Sequence, residues 1–133
     1  MLLAALAVLP ALAEEALFRG FITAGFSRFP RWVALLAPSL MFGIFHLEVT
    51  QAAGTFVLGL GFGWLRCQTR ALTLSVIVHA VHNALVLCVV RLVGVEQATA
   101  EPSHEETLLS LALGITLVLT GAALVRRATG EKP

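Results

Sequence analysis

Apolar residues run along this 133-residue chain in blocks, with neither the strict alternation of a strand nor the scatter of a loop. The blocks span about Leu2 to Phe26, Trp32 to Leu47, Ala52 to Leu65, Leu72 to Val95 and Leu108 to Val125. A helix needs about 20 consecutive apolar residues to cross roughly 30 Å of hydrocarbon. In lipid every backbone N–H and C=O must be paired within the chain, so blocks of this length predict helices. The expected fold is all-α, a polytopic transmembrane bundle of about five helices, although the second and third blocks are short. The only stretch resembling a linker is the acidic connection from Glu96 to Glu106. No repeat or low-complexity tract interrupts the rest, so a single membrane domain over residues 1–133 is expected, its motif-bearing core lying at about 9–90.

Composition agrees with the pattern: apolar residues make up 58% of the chain and charged residues 13%, more grease than a soluble core of this size could hide. The net charge of +1 matters less than where the arginines fall. Arg28 and Arg31 lie between the first two blocks, Arg66 and Arg70 between the third and fourth, and Arg126, Arg127 and Lys132 after the fifth. Glu48, Glu96, Glu101, Glu105 and Glu106 fall in the intervening connections, with His104 among them as a solvated loop residue. Basic connections stay cytoplasmic, so five crossings put the N-terminus outside and the C-terminus in the cytoplasm, in a bacterial inner (plasma) membrane. Trp32 and Trp64 sit beside the arginine-bearing ends, as an aromatic belt would place them. The lipid bilayer is thus the expected surrounding, and the scattered arginines, without interleaved aromatics, exclude a nucleic-acid surface. Cys67 and Cys88 are expected to be reduced and structural.

The opening Met1 to Ala13 carries an A-x-A ending like a cleaved signal, but it lacks a basic start, and cleavage would leave a stretch broken by three charges. A helix continuing past Ala13 is therefore expected, and it carries Glu14, Glu15 and Arg19 into the membrane. An ionised side chain there costs roughly 2.5 to 3.5 kcal/mol, so intramembrane polar residues face a partner or a cavity. They come in three groups. In the first, Glu15 and Arg19 are one turn apart in the favourable acid-before-base order and can pair, while Glu14 points about 100° away and has no local partner. The second is Phe42 and His46 on one face; the third is His79 and Asn83 on one stripe, with His82 nearby. At 1.5 Å per residue, Glu14 lies roughly 20 Å, His46 about 22 Å and His79 about 13 Å from their arginine-bearing ends, a scatter that helix tilt or a re-entrant block can absorb.

Singly, each group reads as interhelical hydrogen bonding. Together, an unpaired carboxylate, imidazoles and a carboxamide are the set that water activation and oxyanion stabilisation require. The groups resemble the motifs EExxxR, FxxxH and HxxxN of the CPBP family, also called CAAX-protease and bacteriocin-processing or Abi proteins, which includes the type II CAAX prenyl endopeptidases. Here they read Glu14-Glu15-x-x-x-Arg19, Phe42-x-x-x-His46 and His79-x-x-x-Asn83, with Gly20 and the stretch Gly59-Leu-Gly61-Phe-Gly63 also similar to the family. The resemblance implies an intramembrane endopeptidase acting on a peptide or protein substrate at the membrane. It further implies that Glu14 and His46 hold and activate a water, that His79 and Asn83 stabilise the oxyanion or help to bind a metal, and that Glu15, Arg19 and Phe42 support the site. Zn²⁺ or another divalent metal held by Glu14, His46 and His79 would match a catalytic site with one open position. Two other readings stand beside it: a non-catalytic bacteriocin-immunity or binding membrane protein, and a haem- or proton-handling membrane protein using His46, His79 and His82.

Overall fold

The computed structural model describes residues 2–47, 49–94 and 127. Contacts divide the chain into two compact units, Met1–Ala98 and Thr99–Pro133, and the elements below belong to the first. The fifth apolar block, the acidic connection with His104, and Glu48 lie outside the described residues, as do Arg126 and Lys132. All regular structure among the described residues is helical.

The first block forms α1, Leu2–Glu15, which runs without a break into a π-helical segment, Ala16–Ile22, and a last α-turn, α2, Thr23–Gly25. The helix does continue past Ala13, and the widened turns begin immediately after the two glutamates. α3, Arg31–Phe45, starts where Pro30, itself lacking an N–H, offers its carbonyl to Val33 and Ala34. It ends with Leu47 in the left-handed region, φ 57°. α4, Val49–Thr69, ends similarly at Arg70, φ 54°, whose N–H returns to the Arg66 carbonyl. α5, Leu72–Val93, stops at Gly94, φ 87°, a conformation that costs glycine little.

α3 packs along α4, α1 along α5, and α4 beside α5. Small residues make the first pairing close. A Cβ on Gly43 of α3 would stand 2.7 Å from the Ala52 carbonyl oxygen, one on Gly59 of α4 would meet Ser39, and one on Gly63 would meet Leu35. Ser39 thus faces Gly59, while Gly43 one turn on meets Ala52 and Phe56; small residues at these positions let membrane helices approach. These contacts, with Asn83 against Ala7 and His79 against Glu15, make both pairs antiparallel. The end of α2, the start of α3, the end of α4 and the start of α5 therefore share one end of the bundle.

Polar side chains share the interior with Ala7, Ala11, Phe18, Phe42 and Phe62, while large apolar side chains cover much of the exterior. Glu15, Arg19, Ser39, Ser75 and His79 are buried, while Leu9, Phe21, Trp32, Leu85 and Leu92 are each more than half exposed. Such a surface is suited to hydrocarbon. Leu72–Leu92 is long and apolar enough to cross a membrane, and Arg31–Phe45 is apolar but shorter.

Candidate active site

The buried polar side chains converge where α1, the π-helical segment, α3, α4 and α5 meet. Glu15, fully buried, is the anchor. Its Oε1 lies 2.9 Å from Arg19 Nη1, an ion pair one turn along the same rod, although that N–H does not point along the contact. The same Oε1 accepts a hydrogen bond of 3.0 Å from His79 Nδ1 on α5. Its Oε2 is buried without a donor.

Arg19 is held from every side. Its Nη2 donates to the Gly59 carbonyl at 3.0 Å, and its guanidinium carbon lies 4.4 Å from the Phe42 ring centre and 5.4 Å from that of Phe62. Desolvating a guanidinium is tolerable when an anion, a carbonyl and aromatic faces replace water. A side chain on Gly59 would push into this packing, since its Cβ would lie 3.3 Å from Arg19 Nη2.

His79 is clamped between aromatics, stacked on Phe62 at 4.7 Å and edge-on to Phe42 at 5.8 Å. A carboxylate only accepts, so the Glu15 contact assigns the proton of His79 to Nδ1 and turns the Nε2 lone pair away from it. Nε2 lies 3.6 Å from Oε2 of Glu14, whose side chain is 23% exposed where that of Glu15 is sealed. That distance is longer than a direct hydrogen bond, and a water in reach of both atoms would sit beside them, not between them.

The three sequence groups are brought together unequally. Glu14, Glu15, Arg19, Phe42 and His79 form one cluster. His46 stands a turn further along α3, at its very end, with its ring 5.0 Å from that of Phe42, and it makes no hydrogen bond or ion pair with either glutamate. Its Nδ1 donates to the Phe42 carbonyl at 3.0 Å, which leaves Nε2 as the lone-pair nitrogen here too. The Phe42 ring thus lies against both imidazoles. Asn83 sits one turn beyond His79, and its Nδ2 donates to the Ala7 carbonyl at 3.3 Å, tying α5 to α1.

For a metal, the fit is incomplete. A catalytic zinc site takes three protein ligands. Here two donors, Glu14 Oε2 and His79 Nε2, confront one another, His46 is a turn away, and no group of three or more His, Cys, Asp or Glu among the described residues is arranged to hold an ion. Among the described residues, Glu14, His46 and His79 are therefore not brought together as one ligand set.

Sequence reading missed Phe62, the Gly59 carbonyl and Ser39. Phe62 lies in the glycine-rich stretch of α4, and a lone aromatic flanked by Gly61 and Gly63 was the available signal. The Gly59 carbonyl had none, because backbone acceptors leave no trace in a sequence. Cys67 and Cys88 are free thiols and both are exposed, so they do not fill the core as expected.

No curated protein and no solved structure matches the chain. The family profile described as type II CAAX prenyl endopeptidase Rce1-like matches residues 1–85, a stretch that includes every one of the motif residues above. The chain therefore belongs to the Rce1-like family of type II CAAX prenyl endopeptidases, proteases embedded in the membrane.

Proposed function

We propose that this chain hydrolyses a peptide bond with a water held jointly by Glu14 and His79. The observation that carries the reading is the double engagement of His79, whose Nδ1 is 3.0 Å from Glu15 and whose Nε2 is 3.6 Å from Glu14. A water beside these two atoms donates to the Glu14 carboxylate and to the Nε2 lone pair, which leaves its own lone pairs for an incoming carbonyl. Glu14 takes a proton as the oxygen adds to the scissile carbon. The tetrahedral oxyanion needs donors; the second Nδ2 hydrogen of Asn83, one turn from His79, is a candidate, whereas the Ser75 hydroxyl on the same stripe is already donated to the Leu72 carbonyl. Collapse breaks the C–N bond, and the proton on Glu14 passes to the departing amine. His46 would approach on substrate binding, since apo geometry in active sites is often loose. Glu15 and Arg19 act by fixing His79.

The substrate is a polypeptide segment reaching the bilayer, and the exposed apolar helix faces keep the enzyme there. With basic connections inside, the end carrying Arg28, Arg31, Arg66 and Arg70 faces the cytoplasm of a bacterial cell and the N-terminus lies outside. Cleavage of a peptide library by the purified protein in detergent, compared with Glu14→Gln, tests the mechanism. The variant should fold normally and turn over about 10² to 10⁴-fold more slowly. Wild-type turnover by Glu14→Gln would overturn the assignment.

A further inference from the structure

The end of the bundle away from His46 carries a level of arginines that catalysis does not use. Continuing the antiparallel register set by Gly63 against Leu35 and Gly59 against Ser39 brings Trp32 level with Arg66 and Arg31 level with Cys67. The turn at 27–30, which carries Arg28, and the turn after α4, which carries Arg70, lie at the same end of the bundle. The apolar span begins at Leu72, so this level sits where hydrocarbon gives way to headgroups.

Arg28, Arg31 and Arg70 are exposed and Arg66 is half-buried. The only acids among the described residues are Glu14 and Glu15, which lie deeper, and none of the four arginines makes an ion pair among the described residues. Arg66 Nε is buried without an acceptor. Exposed Trp32 and Phe29 flank the level, and Phe29 packs on Phe26.

A basic connection that served only to set orientation could use lysine equally. This level has arginine throughout, and the guanidinium fork matches phosphate oxygens in pairs where an ammonium acts as a point charge. Four such forks at the headgroup boundary, uncompensated by acids among the described residues and bordered by amphipathic rings, match a row of lipid phosphates. We propose that Arg28, Arg31, Arg66 and Arg70 form a binding site for the headgroups of anionic phospholipid. The site is independent of the water held by Glu14 and His79, and either reading can fail alone.

The chain has only two tryptophans, Trp32 and Trp64, and both lie near this level, so their fluorescence reports on it. The full chain is reconstituted into phosphatidylcholine vesicles containing either brominated phosphatidylglycerol or the same fraction of brominated phosphatidylcholine. Brominated phosphatidylglycerol should quench more strongly. Arg28→Gln and Arg70→Gln, both at exposed positions, should each weaken the preference by about five-fold in apparent affinity, and together abolish it. Arg91→Gln, exposed on the last turn of α5 at the opposite end, should leave it intact. Equal quenching by both lipids in the wild type would overturn the proposal, as would a preference that survives the double substitution. Loss of the preference on adding sodium phosphate, but not sodium chloride of the same ionic strength, would assign the site to a soluble anion and overturn it equally.

Discussion

Adjacent residues with the same side chain have opposite surroundings here. Glu15 is sealed against Arg19 and His79, while Glu14 is part-exposed and faces only His79 Nε2. Glu15→Gln should therefore show a different defect from Glu14→Gln. It strands a buried guanidinium, a loss of about 3 to 5 kcal/mol, so the thermal midpoint in detergent should fall well below that of Glu14→Gln. The amide can also present an N–H to His79 Nδ1 and so reverse the tautomer. The molecules that do fold should then be about 10 to 100-fold less active. Midpoint and activity per folded molecule, measured side by side, check this. A stable, inactive Glu15→Gln beside an active Glu14→Gln would reverse the two assignments. Helical spacing alone shows that Glu15 can reach Arg19. That the same carboxylate also orients His79, 64 positions away, was not legible, because spacing describes one helix and this bond joins two.

At the level of the helices, glycine positions separate close packing from open faces. Gly43→Ala drives a Cβ to 2.7 Å from a backbone oxygen of α4, which cannot move without its helix, and should cost about 1 to 3 kcal/mol. Gly63→Ala clashes with the Leu35 Cδ1, the far end of a flexible side chain, and meets Ser39 Oγ at an ordinary 3.7 Å, so it should cost less. Gly54→Ala meets nothing within 4 Å and should be neutral or mildly stabilising. Thermal midpoints of the three variants rank them, and equal midpoints for Gly43→Ala and Gly54→Ala would argue against the close α3 and α4 pairing. The four described helical blocks match their apolar stretches to within a few residues, because in lipid an apolar run must pair its backbone internally and the polar connections between runs need not. The π-helical turns at Ala16–Ile22 left no such mark, since they depend on what the rod packs against.

At the scale of the whole described unit, buried charges and an apolar exterior predict how it sits in a bilayer. Cys67 is exposed at the arginine-bearing end, while Cys88 lies on α5 beyond the site. In a Cys88→Ser background, a membrane-impermeant maleimide should label Cys67 in inside-out vesicles and not in intact cells or spheroplasts. Labelling only from outside would invert the orientation proposed here.

By itself the sequence determined what a one-dimensional pattern can carry: membrane residence, helices and their approximate ends, the family, and which few polar residues had to be explained. Each follows from local composition or from spacing along one rod. Only the tertiary structure decided which carboxylate is buried, which nitrogen of His79 keeps its proton, that Phe42 packs against the rings of both His46 and His79, and that Asn83 holds α1. Those outcomes rest on distances of about 3 to 5 Å between residues on different helices, where a shift of one turn, about 5.4 Å, would exchange every partner.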